Sequence, residues 1–415
     1  MSGSARPSID AVAVAGPGLM GLGIAQVAAR AGCRVWLLGR SPASAAAGRQ
    51  RLQAALARQV QRGRLGAGEA DALLARVTVA ADDAAIAGCG MAIETVPEDR
   101  ALKTAVLRRL EACLPPGALI ASNTSGLPID GLAQALRQPS RLLGLHFFSP
   151  VERMPLVEVV RGARTAAGDL TRAIEWVRAI GQQPVTVRDG PGFFTSRIFA
   201  AYLDEAVAMV GEGVEPQRIE AAGRALGRSL GPLAVMDEVS LTLNLQQARQ
   251  AEADGLPAHF CRRPARPVLQ AMVAAGRGGR RQGGGFYDEA DAGRVPWPGL
   301  AALFAPVQPQ PDEAAIARRL RWAEALEALR CLAEGVVASA DDADTASRLG
   351  LGFPGGGALH WVEATGLATV RQVADELAAR HGERFQFPDP LVDTAMHGHG
   401  LSAWRTPSSP EPSPS

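Results

Sequence analysis

The chain of 415 residues lacks the features that mark several classes of protein. Its five cysteines show no C-x-x-C pair and no metal-ligand spacing, so we expect small buried residues in a reducing compartment and no metal site. The formal net charge of +1 gives no reason to expect nucleic acid as a partner. No apolar run approaches a membrane span, and the first residues, M-S-G-S-A-R-P-S, contain no apolar signal core. These shortages predict a cytoplasmic protein without membrane contact.

Lysine is the scarcest charged residue type. Lys103 is the only lysine, and arginine supplies the other basic side chains. Lys103 follows Glu98 by five residues, with Glu98 at the end of a predicted strand and Lys103 in the next predicted helix. An isolated Glu/Lys pair is usually a solvated surface pair that contributes well under ~1 kcal/mol. Because arginine serves everywhere else, a compact ammonium here indicates a role in a site.

The first forty residues have the pattern of a dinucleotide-binding unit. Val12 to Ala15 predicts a buried parallel strand, Leu19 to Arg30 an apolar helix, and Val35 to Leu38 a second strand. Three glycines between the first strand and the helix have the G-x-G-x-x-G spacing, which lets the backbone approach a pyrophosphate at a helix N-terminus. The predicted cofactor contacts in this loop are Gly16, Gly18, Leu19, Met20 and Gly21.

The end of the second strand departs from the usual pattern for NAD. An acidic residue there normally binds the adenosine ribose, whereas this chain has Gly39 followed by Arg40. A guanidinium without a neighbouring carboxylate suits a ribose 2′-phosphate, so use of NADP is one hypothesis. The alternative is that Arg40 stacks on the adenine or points into solvent.

Polar residues follow the ends of later predicted strands. The run S-N-T-S, Ser122 to Ser125, is either a ligand-binding strand end or a turn that caps the following helix. His146 could be a satisfied core residue, but Glu158 lies between two valines in a predicted half-buried strand, where an unpaired carboxylate is costly. A pair of His146 and Glu158 would satisfy both groups and would orient the imidazole as a general base for an alcohol proton.

The pattern of the chain changes near residue 190. Beyond Phe193 it is helical, with no further alternation of strand and helix. Glu205-Ala206 before Glu212-Gly213-Val214 recurs as Glu327-Ala328 before Glu334-Gly335-Val336, at an offset of 122 (327 − 205), which predicts a duplicated helical unit. The expected divisions are a dinucleotide-binding domain at 1–190, a first helical domain at 191–290, a linker at 291–312, a second helical repeat at 313–400 and a disordered tail at 401–415.

Six motifs in this order resemble the L-3-hydroxyacyl-CoA dehydrogenases. They are G-x-G-x-M-G-x-G-I-A from Gly16, E-x-V-P-E-D-x-x-x-K from Glu94, S-N-T-S, H-F-F-S-P, L-V-E-V-V, and D-G-P-G-F-F-x-x-R from Asp189. The later G-F-Y and the segment from Glu334 to Pro354 look like the second helical repeat of β-oxidation multifunctional proteins. The resemblance covers roughly residues 9 to 385. No hydratase domain precedes the first strand, so a standalone dehydrogenase is expected.

The resemblance implies a fold and a set of catalytic residues. The fold would be α/β, a Rossmann-type doubly wound sheet followed by an all-α domain present as two repeats, like the C-terminal domain of 6-phosphogluconate dehydrogenase. His146 matches the catalytic base of the family and Glu158 its orienting partner, while Ser125 matches a serine that hydrogen-bonds the 3-oxygen of the substrate. Ser196 stands where the family usually has an asparagine, which shortens one polar contact to the substrate or the nicotinamide.

The same resemblance implies the cofactor and the substrate. Glu98 and Lys103 match cofactor-side contacts, and Asn123 is a further candidate. NAD is the usual cofactor of the family, although Gly39 and Arg40 leave NADP as an alternative. The expected reaction is oxidation of a 3-hydroxyacyl-CoA thioester in fatty acid metabolism.

Two other functions stay open from the sequence. One is a related dehydrogenase of free hydroxy acids or sugar acids with the same His/Glu arrangement. The other is a nucleotide-binding protein with little or no catalysis and a structural or regulatory role. Single-repeat members of the family pair two subunits through the helical domain, so a chain with both repeats is expected to be a monomer by internal pairing, with a homodimer as the alternative.

Overall fold

The computed structural model describes residues 8–290, 293–393, 400–401 and 404, in two units. The sheet unit extends to Phe194 and includes residues 335–338, and the helical unit contains residues 195–334 and the chain from 339 onward. The predicted disordered tail at 401–415 lies outside the described residues except for positions 401 and 404.

The sheet unit contains an eight-stranded sheet with the order β3-β2-β1-β4-β5-β6-β7-β8. The strands are β1 (Ala11–Ala15), β2 (Arg34–Leu38), β3 (Val77–Val79), β4 (Met91–Glu94), β5 (Leu119–Ser122), β6 (Leu142–Phe147), β7 (Leu156–Arg161) and β8 (Gln183–Arg188). The helices are α1 (Leu19–Arg30), α2 (Pro42–Gln61), α3 (Ala67–Ala75), α4 (Arg100–Cys113), α5 (Ile129–Ala133) and α6 (Ala167–Ala179). The predicted Rossmann-type fold is therefore confirmed.

Burial explains why these segments are strands. All five residues of β1 and all four of β4 are buried, as expected for central parallel strands covered on both faces. The sequence pattern predicted β1 and β2 to within one residue of their ends. It did not single out β8, an edge strand whose second residue is Pro184. Proline has no N–H to donate to the ladder, and an edge strand tolerates this because one of its sides has no partner strand.

Strand direction brings several polar strand ends to one edge of the sheet. β1 to β6 pair in parallel, so their carboxyl ends share that edge, which we call the carboxyl edge. β7 is antiparallel to β6 and begins at the same edge, and β8 is parallel to β7. The strand order reverses between β1 and β4, and ligands of open α/β sheets bind at such a point.

In the residues that the structure describes, the helical unit contains ten α-helices. They are α7 (Thr195–Gly211), α8 (Pro216–Ala225), α9 (Pro232–Val239), α10 (Leu241–Ala253), α11 (Arg266–Ala274), α12 (Leu300–Leu303), α13 (Glu313–Ala333), α14 (Ala340–Leu351), α15 (Ala358–Thr365) and α16 (Leu367–His381). A hairpin of β9 (Tyr287–Ala290) and β10 (Gly293–Pro296) lies between α11 and α12. The segment expected to be a linker thus contains β10 and α12, because Leu300, Trp297 and Phe304 pack against the apolar core of this unit.

Two repeats of the same helical order make up this unit. α7 and α13 pack against each other, and α8, α9 and α10 have α14, α15 and α16 as their counterparts. The N-cap residues of α10 and α16 share an unusual backbone conformation, with φ and ψ of 86° and 117° at Ser240 and of 85° and 124° at Gly366. The predicted duplication of the helical unit is therefore confirmed.

Arginine–glutamate pairs join the two repeats reciprocally. Arg197 of α7 donates to Glu327 of α13 at 2.7 Å and to Glu334 at 2.5 Å. Arg319, 122 positions after Arg197 (319 − 197), donates to Glu205 at 2.8 Å and to Glu212 at 2.7 Å. Each repeat thus presents the same charged residues to the other, in the manner of a two-fold interface.

Within the described part of the chain, no helix is long and apolar enough to cross a membrane. The same residues contain no group of three or more His, Cys, Asp or Glu side chains that could hold a metal ion.

Candidate active site

The glycine loop after β1 has the geometry of a phosphate-binding turn. Gly16 has a φ of +121°, and the Thr95 hydroxyl after β4 donates to its carbonyl oxygen at 2.9 Å. A Cβ on Gly21 would lie 1.9 Å from the Gly16 oxygen, whereas a Cβ on Gly18 would meet no atom within 4 Å. Gly21 therefore permits close contact of helix and loop, and Gly18 faces open space. The N-terminus of α1 carries no side-chain cap, so its N–H groups fit an anionic cofactor.

The loop after β2 explains the missing acidic residue. A Cβ on Gly39 would lie 2.1 Å from the Ser44 hydroxyl oxygen. Ser44 and Ser41 form a reciprocal capping box at the start of α2, with each backbone N–H donating to the other side-chain oxygen. A carboxylate at position 39 would displace this cap, while Arg40 is exposed beside it.

His146 and Glu158 lie directly opposite each other on β6 and β7. Residues opposite each other on neighbouring strands point to the same face of the sheet, so the pair follows from the strand register. His146 Nδ1 is 2.7 Å from Glu158 Oε2, the Glu158 side chain is fully buried, and that of His146 is 9% exposed. Phe148 packs against the imidazole with ring centroids 4.4 Å apart. The carboxylate fixes the ring and leaves Nε2 as the nitrogen for a substrate proton.

Ser125 and Asn123 lie at the same carboxyl edge, after β5. The Asn123 side-chain oxygen accepts a hydrogen bond from the Phe147 N–H at 2.9 Å, which ties the end of β5 to the end of β6 beside His146. The exposed Ser125 donates its backbone N–H to Glu98 Oε1 at 3.1 Å. The structure therefore brings Ser125, Asn123, Glu98, His146 and Glu158 to one edge of the sheet.

Lys103 is buried rather than exposed at the carboxyl edge of the sheet. Its side chain is 1% exposed, and its ammonium lies 2.9 Å from Glu94 Oε1 and 3.2 Å from Glu98 Oε2. It therefore supports Glu98 from within the protein. Ser196, the remaining predicted catalytic residue, lies in the first turn of α7, which begins at Thr195.

Sequence reasoning missed two buried acids near these residues. Glu94, the last residue of β4, is fully buried and binds Lys103. Asp189 accepts hydrogen bonds from the backbone N–H groups of Ile129 and Asp130, both at 2.8 Å, and so caps α5 after the Ser125 loop. Burial raises the pKa of both carboxyl groups. Each of them begins a motif that resembles the family, but nothing in the sequence pointed to its partners.

A glycine loop on a Rossmann-type sheet, beside a histidine held by a carboxylate, defines the class as a dinucleotide-dependent oxidoreductase. The sequence profile described as "3-hydroxyacyl-CoA dehydrogenase, NAD binding domain" matches residues 11–190. That of "3-hydroxyacyl-CoA dehydrogenase, C-terminal domain" matches residues 192–289 and 316–402. The chain is therefore an enzyme that belongs to the 3-hydroxyacyl-CoA dehydrogenase family.

Solved structures of similar proteins cover between 67% and 94% of the chain. It is similar to 3-hydroxybutyryl-CoA dehydrogenase from Escherichia coli K12 at 28% identity and a TM-score of 0.79, over 94% of this chain and 99% of that one. FadB2 from M. tuberculosis is 37% identical, with a TM-score of 0.62 over 68% of this chain and 99% of its own. (S)-3-hydroxybutyryl-CoA dehydrogenase PaaH1 from Ralstonia eutropha is 31% identical, with a TM-score of 0.63 over 67% and 98%.

Proposed function

We propose that the protein oxidises (3S)-3-hydroxyacyl-CoA thioesters to 3-oxoacyl-CoA, as in fatty acid β-oxidation. The observation that carries this proposal is the buried contact of 2.7 Å between His146 Nδ1 and Glu158 Oε2 at the carboxyl edge of the sheet. Two of the similar proteins of known structure are 3-hydroxybutyryl-CoA dehydrogenases, which supports the choice of a CoA thioester. Buried free thiols at Cys33, Cys89 and Cys261 favour a cytoplasmic location.

The proposed chemistry assigns one task to each residue. His146 removes the proton from the 3-hydroxyl group through Nε2, and Glu158 stabilises the imidazolium that forms. Ser125 hydrogen-bonds the developing carbonyl oxygen, and Ser196 is proposed as a second polar contact. A bound nicotinamide ring supplies the acceptor for the hydride that leaves C3.

The cofactor would be held along the edge from β2 to β5. Five residues of the glycine loop would contact the pyrophosphate and the parts of the dinucleotide on either side of it. These residues are Gly16, Gly18, Leu19, Met20 and Gly21. Leu19 is 75% exposed, which suits a residue that a bound dinucleotide covers. Glu98 and Asn123 would lie on the nicotinamide side, and Lys103 would hold the carboxylate of Glu98 from within the protein. Gly39 and Arg40 would face the adenosine ribose, and Arg40 would let the site accept NADP as well as NAD.

An assay with two substrates and two cofactors tests the function. Racemic 3-hydroxybutyryl-CoA and free 3-hydroxybutyrate are each incubated with NAD and with NADP, and reduced cofactor is followed by absorbance. We expect turnover of the thioester and no turnover of the free acid. Faster turnover of the acid would favour a dehydrogenase of free hydroxy acids, and binding of cofactor without any turnover would favour a non-catalytic nucleotide-binding protein.

The same assay with Arg40→Ala tests the cofactor proposal. Loss of the guanidinium removes a charge-assisted hydrogen bond to a 2′-phosphate, so kcat/KM with NADP is expected to fall about tenfold. The value with NAD should stay unchanged, as should both values in Arg58→Ala, a control on an exposed arginine in the last turn of α2. Equal losses with NAD and NADP in Arg40→Ala would contradict the proposal.

We also propose that the chain is a monomer whose two helical repeats pair internally. The reciprocal bonds of Arg197 to Glu327 and of Arg319 to Glu205 already satisfy both charged faces within one chain. Light scattering of the full chain is expected to give a mass near 43.2 kDa. A mass twice as large that persists on dilution would favour the homodimer.

A further inference from the structure

The only lysine of the chain joins two carboxylates. The Lys103 ammonium lies 2.9 Å and 3.2 Å from the two oxygens of Glu94, 3.2 Å from Glu98 Oε2 and 3.0 Å from the carbonyl oxygen of Val96. An ammonium has three N–H donors, and these four oxygens occupy them. Since its side chain is 1% exposed, Lys103 acts within the protein.

Glu94 holds the lysine from the end of β4. Its Oε1 accepts the backbone N–H of Val96 at 2.6 Å, and its Oε2 accepts the hydroxyl of Ser122, at the end of β5, at 2.6 Å. Every oxygen of this fully buried carboxylate therefore has a donor. Burial raises the pKa of Glu94 while Lys103 and Ser122 lower it, so the charge of Glu94 depends on the lysine.

Glu98 connects this buried pair to the loop of the proposed substrate contact. Glu98 Oε2 binds Lys103, while Oε1 accepts the Thr124 hydroxyl and, at 3.1 Å, the backbone N–H of Ser125. The Thr124 oxygen in turn accepts the backbone N–H of Leu127 at 2.9 Å. The Ser125 hydroxyl also donates to Glu98 Oε1, at 3.5 Å, so the same carboxylate contacts both the backbone and the side chain of Ser125.

We propose that Glu94 and Lys103 are positioning residues that act on Ser125 through Glu98. This inference rests on the proposed dehydrogenase function. Glu94 fixes the ammonium, the ammonium fixes the carboxylate of Glu98, and that carboxylate holds the loop from Ser122 to Leu127 by its side chains and backbone. The hydroxyl of Ser125 is thereby placed for the 3-oxygen of the substrate.

The electrostatics explain why one positive charge is needed at this point. Without the ammonium, the carboxylates of Glu94 and Glu98 would repel each other, and Glu98, which is 26% exposed, would turn towards solvent. Thr124 and Ser125 would then lose their shared acceptor. A compact ammonium reaches all four oxygens, whereas the planar fork of an arginine would not fit between them.

Steady-state kinetics of Lys103→Ala test the proposal. A misplaced Ser125 is expected to lower kcat on 3-hydroxybutyryl-CoA about 10²-fold. Because Glu98 would also lie beside the nicotinamide, the Kd for NADH, read by fluorescence, should rise as well, but by less than about tenfold. Ethylammonium should restore part of the lost kcat by filling the vacated space with the same charge. Glu94→Gln should lower kcat in the same direction without rescue by the amine.

A matched control separates positioning from general loss of stability. Glu220 is a buried glutamate of the helical unit that accepts two backbone N–H groups, so Glu220→Gln disturbs the fold without touching the loop. This variant should keep its kcat. Unchanged kcat in Lys103→Ala, loss of NADH binding in parallel with kcat, or failure of ethylammonium to rescue a folded Lys103→Ala protein would each overturn the proposal.

Hydrogen exchange gives a readout that does not depend on activity. Peptides that cover residues 122–128 should exchange faster in Lys103→Ala than in the wild type, and should not change in Glu220→Gln. Unchanged exchange in Lys103→Ala would refute the positioning role. A wild-type enzyme that is inactive on all substrates, with faster exchange in Lys103→Ala, would instead refute the proposed function and leave the structural link standing.

Discussion

His146→Gln is expected to lower kcat on 3-hydroxybutyryl-CoA by about 10³-fold, since a positioned general base contributes about 10²- to 10⁴-fold. Glutamine keeps the polar bulk of the side chain but cannot accept the proton of the 3-hydroxyl group at neutral pH. The Kd for NADH should stay within about threefold, because the glycine loop is not altered. Turnover is measured by cofactor absorbance, and Kd by fluorescence titration.

Two further variants test whether the loss in His146→Gln comes from the general base. Glu158→Gln should reduce kcat less than His146→Gln, because an amide can still contact Nδ1 but no longer stabilises an imidazolium. His360→Gln, which changes an exposed histidine of α15, should leave kcat unaltered. A His146→Gln enzyme that keeps more than about a tenth of the wild-type kcat would remove the general-base assignment.

Arg197→Ala is expected to destabilise the helical unit by about 3 kcal/mol or more, because it leaves the buried Glu327 without its principal partner. This corresponds to a decrease in Tm of roughly 6–12 °C in thermal unfolding followed by circular dichroism. The reciprocal variant Arg319→Ala should have a similar effect, since Arg319 binds Glu205 in the other repeat in the same way.

Surface and double variants are the controls for this prediction. Arg218 and Glu215 form an exposed pair, so Arg218→Ala should change stability by less than about 0.5 kcal/mol. Replacing both partners, Arg197→Met with Glu327→Leu, should recover part of the lost Tm because the buried carboxylate is removed together with its guanidinium. A decrease in Tm for Arg197→Ala no larger than for Arg218→Ala would show that the buried pair does not stabilise the fold.

Acid should weaken the same interface. Burial opposes ionisation of Glu327, but Arg197 and Arg330 outweigh it and lower the pKa of this carboxyl group. A carboxyl group with a lowered pKa in the folded state stabilises the protein above its unfolded pKa of about 4.3, and this contribution is lost as the pH falls through the folded pKa. The difference in Tm between the wild type and Arg197→Ala should therefore become smaller below about pH 4.

The sequence predicted the pair of His146 and Glu158 for a physical reason that holds without coordinates. A glutamate between two valines in a strand needs a partner, and His146 stands at the end of the neighbouring predicted strand. The pairing of Glu98 with Lys103 was also predicted, but Glu94 was missed because its partner lies nine positions away (103 − 94), on a helix that only the fold brings back to the strand end.

The helical repeats were likewise predicted from the sequence only in part. The recurring Glu-Ala and Glu-Gly-Val segments revealed the duplication, yet the arginines at positions 197 and 319 gave no sign of their partners. Pairs separated by 130 residues along the chain (327 − 197) arise only when two helices pack side by side. The strands β9 and β10 were missed because each has only four residues and contains a single β-branched or aromatic side chain.

The sequence by itself determined most of the strands and helices of the sheet unit, the glycine loop, the duplication and the residue types of the site, since these depend on local periodicity and spacing. The tertiary structure decided which charges meet: the register that sets residue 146 opposite residue 158, the ammonium between two carboxylates, and the crossed arginines of the two repeats. Such contacts depend on strand order and helix packing, which bring together residues far apart in the chain.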